Sequence, residues 1–174
     1  MVEILLKKWH NCNMEYKVND KVVHCRDGLS LIVGETTIGG NDYFVVNSLK
    51  NNKENIYVLK SRTDNIIRPV MNEKEADEVV AFMKTVEPGF ISNTKQRRDL
   101  YKKKLLSGNV YDLAYLTMQL RFFNEFNAKG QVVKLGPTDL QMLKDAESIL
   151  FDEFATSYNV ERDSVSEKIA GMLG

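Results

Sequence analysis

Residues 94–108 read TKQRRDLYKKKLLSG and carry six lysines or arginines against a single acid. The residue types are good helix formers and the segment closes on Ser-Gly, so a short helix is predicted. At about 100° per residue, Lys95, Arg98 and Lys102 share one face, and the apolar residues form no broad stripe. We therefore expect a lightly buried basic helix. Taken alone, such a run is typical of a solvated surface, and a phosphate-contacting patch is the sharper interpretation.

The composition limits what kind of protein this is. The chain has 174 residues, a formal net charge of zero and 43% hydrophobic residues, which suits one generous domain or two small ones. A sequence pI near 6.7 argues against a protein coated in basic charge, so any nucleic-acid contact should be local and helped by another partner. Cys12 and Cys25 form no CxxC pair, which favours a reducing compartment. No apolar stretch is long enough to span a bilayer, so we expect a soluble, cytoplasmic protein.

Short β-rich runs separated by turn residues occupy residues 16–70. The pattern predicts five strands, at residues 21–26, 29–36, 42–49, 55–60 and 65–68. Gly39-Gly40 is most simply a hairpin turn between two of them. Five short strands favour a small barrel over a sandwich, because closure removes exposed strand edges.

The hydrophobic period becomes helical from Asn72 onward. Asn72 is the predicted N-cap of a helix over residues 73–86, and the basic helix follows it. The next helix, from residue 110 to about residue 127, is apolar on two sides and is therefore expected at the centre of a bundle. The fold class is thus α+β, with a five-stranded barrel followed by about five helices.

Thr138 and Gln141 form a capping-box pattern that opens the fourth helix. A final helix is predicted over residues 161–173. The apolar face of the fourth helix is predicted to contain Leu140, Leu143, Ala146, Leu150, Phe154 and Tyr158.

Three segments are predicted. Residues 1–13 form an extension that is expected to be poorly ordered, with insertion of Trp9 into a groove as the alternative. Residues 14–70 form the barrel domain, and residues 71–174 form the helical domain.

The sequence contains few residue patterns that are typical of a catalytic or metal-binding site. His10 and His24 have no zinc-site spacing with the two cysteines, and His24 and Cys25 are adjacent on a predicted strand, so they point to opposite faces. The sequence contains no phosphate-binding loop, dinucleotide fingerprint, nucleophile elbow or HExxH motif. Most carboxylates fall on the outer faces of predicted helices. We predict a protein that is not an enzyme, with no cofactor, metal or small-molecule substrate.

Two stretches point to a known family. MEYKVNDKVVHCRDGLSLIVGE, residues 14–35, contains a V-x-D-x-V-V core. LGPTDLQMLKDAESILFDEF, residues 135–154, keeps the spacing M-L-x-x-A-x-x-I-L-x-x-E. Both resemble the CarD-like (CdnL) bacterial transcription regulators, whose N-terminal module is shared with transcription-repair coupling factors. The resemblance covers about residues 14–170, with Met14 as the natural start that it suggests.

The resemblance implies a Tudor-like barrel that binds the β subunit of RNA polymerase, and a helical domain that touches promoter DNA at the upstream edge of the transcription bubble. We expect a monomer. The implied polymerase contacts are Tyr43, Val45, Ile56, Tyr57 and Val58. The residues implied to face DNA phosphates are Thr94, Lys95, Arg97, Arg98, Lys102, Lys103 and Lys104.

Two positions depart from the family pattern. Relatives carry a tryptophan at the start of the basic helix, ahead of an arginine pair, that wedges against opened DNA; here Thr94 occupies that place. The family's V-P-V run is replaced by Val58-Leu59-Lys60. The leading hypothesis is a polymerase-binding, DNA-contacting regulator. The alternatives are a polymerase-binding adaptor without productive DNA contact, because the tryptophan is absent, and an autonomous nucleic-acid-binding protein with steep salt dependence.

Overall fold

The computed structural model describes residues 15–50, 54–64, 66–87, 89, 91, 93–125 and 135–174. The chain divides between Val70 and Met71 into two compact units, which we call the strand unit and the helical unit. Within these residues, five strands are followed by five helices, which confirms the α+β class. The predicted terminal extension, residues 1–13, lies outside the described residues.

The strand unit contains one antiparallel sheet of five strands. They are β1 (Lys21–His24), β2 (Gly28–Ile38), β3 (Asn41–Ser48), β4 (Ile56–Leu59) and β5 (Ile67–Pro69), in the spatial order β4-β3-β2-β1-β5. All five predicted strands are present, with bounds that differ by a few residues. The described residues contain no pairing between β4 and β5, so the sheet is open where the sequence predicted a closed barrel. These two edge strands have only four and three residues, which offers few ladder bonds for closure.

One face of the sheet forms the core of the strand unit. Tyr16 packs edge-on against Phe44 at 6.2 Å between ring centroids, and its hydroxyl donates to the Ile67 carbonyl at 3.3 Å. The predicted hairpin turn at Gly39-Gly40 is confirmed, since both glycines have positive φ angles, 58° and 79°, as the two-residue turn between β2 and β3 requires. The buried cluster consists of Val22, Ile32, Phe44, Val46, Val58 and Ile67.

His24 is a buried histidine whose protonation is expected to affect the strand unit. It is the last residue of β1, with Nδ1 2.6 Å from an Asp27 carboxylate oxygen. Burial lowers the pKa of His24 below its ordinary value of 6.5, and the opposing effect of Asp27 is smaller. The unfolded chain therefore binds a proton at His24 more readily than the folded chain does. As the pH falls below about 6.5, the free energy of unfolding of the strand unit is expected to decrease.

We expect the strand unit to unfold at lower urea concentration at pH 5.5 than at pH 7.5, and His24→Gln to reduce this difference. Urea titrations of the full chain at both pH values measure it. His10→Gln, at the only other histidine, is the matched control. A pH dependence that is unchanged in His24→Gln would contradict the assignment to His24.

The helical unit is built around its third helix. Its helices are α1 (Glu73–Thr85), α2 (Thr94–Leu105), α3 (Val110–Glu125), α4 (Pro137–Tyr158) and α5 (Val165–Leu173). α3 packs against α1, α2 and α4, as its two apolar sides predicted. Residues 126 and 127, which the prediction included in this helix, lie outside the described residues. A short 3₁₀ turn, Arg162–Ser164, precedes α5.

The two predicted helix starts have different outcomes. Asn72 is the N-cap of α1: its side chain accepts from the Glu75 backbone N–H at 3.0 Å, and the Glu75 carboxylate accepts from the Asn72 N–H at 3.0 Å. The capping box predicted at Thr138 is wrong, because α4 begins at Pro137 with Gly136 as its N-cap. Proline suits the first helical position, where no N–H donor is needed. The Gln141 side chain donates to an Asp145 carboxylate oxygen at 2.8 Å instead.

Candidate nucleic-acid and polymerase interfaces

The basic helix α2 is only lightly buried, as its sequence predicted. It begins after Asn93, whose side chain accepts from the Gln96 backbone N–H at 3.1 Å. The only buried residues of α2 are Arg97 and Tyr101, which are four positions apart and therefore share the inward face. Burial raises the pKa of Tyr101 to about 12.

The seven predicted phosphate-facing residues separate into three groups by exposure. Thr94, Lys95, Lys102 and Lys103 are exposed, Arg98 and Lys104 are half-buried, and Arg97 is buried. Lys95 and Lys102 are seven positions apart and so lie on the same face of the helix. The exposed cations of α2 are Lys95, Lys102 and Lys103, which we call the basic surface, and the exposed Asp99 lies about one helical turn from each of them.

Arg97 does not belong to this basic surface, contrary to the sequence expectation. Its side chain is only 7% exposed. One terminal nitrogen donates to an Asp139 carboxylate oxygen at 2.9 Å, and the other donates to the Ile91 carbonyl at 3.2 Å. A guanidinium held in this way points into the helical unit rather than toward a phosphate. Burial of Arg97 was hard to predict from the sequence, because Arg97 lies beside Arg98 in a run of cations.

Lys104 is also engaged within the helical unit. Its ammonium nitrogen lies 2.7 Å from an Asp112 carboxylate oxygen and 4.6 Å from the centroid of the Tyr115 ring. Both partners belong to α3, so this contact holds the C-terminal turn of α2 against the central helix. The Lys104 charge is therefore partly neutralised before any DNA approaches.

The segment ahead of α2 is held by Gln119, a residue that sequence reasoning missed. Gln119 is buried in α3; its side-chain oxygen accepts from the Gly89 N–H at 2.8 Å, and its amide nitrogen donates to the Glu87 carbonyl at 2.5 Å. A β-carbon on Gly89 would lie 3.2 Å from that oxygen, which leaves little room for a larger residue. The one available signal was a polar side chain among the apolar residues of the central helix.

Buried carboxylates were missed as well. The sequence placed almost all acidic side chains on outer helix faces, but Asp139 and Glu153 are both buried in α4. Asp139 pairs with Arg97, and Glu153 accepts from the Met71 backbone N–H at 3.0 Å. Each carboxylate has a partner that is distant in sequence, so helical periodicity alone could not assign it to the interior.

The predicted polymerase contacts lie on two different faces of the sheet. Val45 is directly opposite Tyr57 in the β3–β4 ladder, and Tyr43 lies on the same face, away from the core. Tyr57 is 51% exposed. Val58 is only 2% exposed and Ile56 packs against the core cluster, so neither side chain is placed for a partner. We use the term outer face for Tyr43, Val45 and Tyr57.

A comparison with protein families decides the assignment. A family model described as CarD, C-terminal domain matches residues 78–170, more than half of the chain. The chain belongs to the CarD family. The matched region runs from α1 into α5 and includes the whole of the basic helix. No curated protein matches this chain.

Membership of the CarD family indicates a CarD-like transcription regulator, and such regulators are not catalytic. The resemblance of residues 135–154 to this family is thereby confirmed. In the described part of the chain, no group of three or more His, Cys, Asp or Glu side chains is placed so that it could hold a metal ion. No helix in the described part of the chain has the length and apolar character to cross a membrane.

Proposed function

We propose that this CarD family member binds the β subunit of RNA polymerase through its strand unit and contacts promoter DNA phosphates through the basic surface of α2. We expect this contact at the upstream edge of the transcription bubble, as the resemblance to the family implies. The observation that carries the proposal is that Lys95, Lys102 and Lys103 are exposed together on a helix of a chain with zero net charge.

Three exposed cations give only weak DNA binding by themselves. Each neutralised phosphate contributes about 0.9 to the slope of log affinity against log salt, so a small set gives modest affinity at physiological salt. Attachment to polymerase raises the effective concentration of the helix near the DNA, and a weak contact then suffices. We therefore expect the protein to act on the polymerase–promoter complex and to bind free DNA poorly.

Thr94 favours a contact made by charge rather than by insertion. It is exposed at the first position of α2. By the sequence resemblance, family members usually carry a tryptophan at this place. A threonine hydroxyl can donate to a phosphate but cannot stack on a base, and a stacked aromatic contributes about 1–3 kcal/mol per base. The same substitution favours the second candidate, a polymerase-binding adaptor without productive DNA contact.

The test is the lifetime of the open promoter complex with and without the protein. The wild type is expected to change this lifetime, and Lys95→Glu with Lys102→Glu is expected to weaken the effect roughly tenfold, since two phosphate contacts become repulsive. The matched control is Lys74→Glu with Lys84→Glu, which makes the same charge change at exposed positions of α1.

The outcomes separate the candidates. Equal losses in the test and control pairs would mean that net charge, not the basic surface, determines the effect, and would contradict the proposal. A wild-type protein that binds polymerase and leaves the lifetime unchanged would establish the adaptor. Tight binding to free DNA with a steep salt dependence would instead support an autonomous DNA-binding protein.

A further inference from the structure

Few apolar side chains hold α2 in place. A surface helix is normally held by a broad apolar stripe against the core. In α2 the buried side chains are those of Tyr101 and Arg97 only, Leu100 and Leu105 are half-buried, and Leu106, directly after the helix, is exposed. The direction in which α2 presents its lysines therefore depends on polar contacts as well as on these apolar ones.

Arg97 supplies polar contacts to two other segments at once. Its guanidinium donates to Asp139 in the first turn of α4 and to the carbonyl of Ile91, which precedes α2. The planar fork of an arginine fixes both directions together, which a lysine ammonium on a flexible stem cannot do. One buried side chain thus joins the start of α2, the segment leading into it, and the start of α4.

The energetics of the pair suit a positioning role better than a stabilising one. Removing both charges from water is costly, and buried pairs of this kind often contribute little net stability compared with apolar replacements. The second carboxylate oxygen of Asp139 is buried and makes no hydrogen bond within the described residues, so its desolvation is not fully compensated. What the pair provides is a specific arrangement, since few other packings would satisfy both charges.

We propose that Arg97 is a positioning residue: through Asp139 and Ile91 it sets the orientation of α2, so that Lys95 and Lys102 meet the DNA backbone. The inference deepens the proposed function and rests on it for the DNA readout. It predicts that the functional importance of Arg97 comes from its buried partners and not from a phosphate.

Arg97→Lys separates the two roles, because lysine binds phosphate well as a point charge but cannot reproduce the forked contact. We expect the full-length variant to remain folded by circular dichroism and to lose roughly tenfold of its effect on open-complex lifetime. We also expect α2 amides to exchange hydrogen about tenfold faster, with α3 amides unchanged. Wild-type behaviour in both measurements would overturn the proposal.

Asp139 gives an independent test, in which electrostatics and positioning predict opposite signs. Asp139→Leu removes a negative charge, so a protein that only needs positive charge at α2 should act more strongly. A positioning role predicts that Asp139→Leu has a weaker effect on open-complex lifetime than the wild type. The double variant Arg97→Met with Asp139→Leu should lose no more of this effect than the worse single variant, because both changes remove the same interaction. Additive losses, or a gain in Asp139→Leu, would refute the positioning role.

The hydrogen-exchange readout keeps this proposal separable from the proposed function. Exchange in the free protein requires neither polymerase nor DNA. If Lys95→Glu with Lys102→Glu changes no lifetime while Arg97→Lys still accelerates exchange in α2, the DNA contact fails and the positioning role stands. If the lysine pair matters and Arg97→Lys matches the wild type in both readouts, only the positioning role fails.

Discussion

Replacing Phe154 with alanine is expected to lower the free energy of unfolding of the helical unit by about 3–5 kcal/mol, the usual range for deleting a buried aromatic side chain. Phe154 is wholly buried in α4, and its ring stacks on Tyr158 with 5.8 Å between centroids and 9° between planes. Such a loss is a large part of the roughly 5–15 kcal/mol that stabilises a typical domain. Urea unfolding followed by far-ultraviolet circular dichroism measures it.

Tyr158→Phe is the matched control for this prediction. It keeps the stacked ring and removes only the hydroxyl, which donates to an Asp77 carboxylate oxygen at 2.9 Å. Because that bond lies at the surface, its loss should cost about 1 kcal/mol or less. Equal destabilisation by the two variants would mean that stability depends on the Tyr158 contact with α1 and not on burial of Phe154.

The position of Phe154 could be predicted from the sequence because apolar spacing in a long helix reports its buried face. Leu143, Ala146 and Leu150 are buried with it, as predicted. Leu140 was assigned to the same face and is exposed. The inward position in the first turn of α4 is taken by Asp139, which pairs with Arg97. Helical periodicity assigns charged residues to the solvent-exposed face. It therefore could not predict that Asp139, and not Leu140, faces inward in this turn.

The same limit explains why side-chain burial at the candidate interfaces differs from the sequence expectation. The basic character of α2 is a local property and was visible in the sequence, but the burial of Arg97 depends on a partner that is 42 positions away. In β4, the question of which residues face outward depends on register, since successive side chains alternate between faces. Sequence resemblance indicated residues 56–58 as a group, and only the pairing of Val45 with Tyr57 shows which of them points outward.

Replacing Tyr57 with alanine is expected to weaken binding to the polymerase β subunit by about 30-fold, which corresponds to the 2 kcal/mol typical of an aromatic anchor at an interface. Tyr57 is exposed on β4, the edge strand of the sheet, with Val45 beside it on the outer face. An edge strand can also extend a partner's sheet through its backbone groups. Titration calorimetry of the full chain with the β subunit measures the change.

Ile38→Ala is the matched control, because Ile38 is also 51% exposed but lies at the hairpin end of β2. If Ile38→Ala weakens binding and Tyr57→Ala does not, the polymerase contact lies at the hairpin instead of the outer face. At a protein concentration near the wild-type dissociation constant, Tyr57→Ala should also weaken the effect on open-complex lifetime, although it alters no cation of α2. On the proposed function, three exposed lysines hold DNA too weakly to act when little of the protein is bound to polymerase. A lifetime effect that survives the loss of polymerase binding would show that α2 engages DNA on its own.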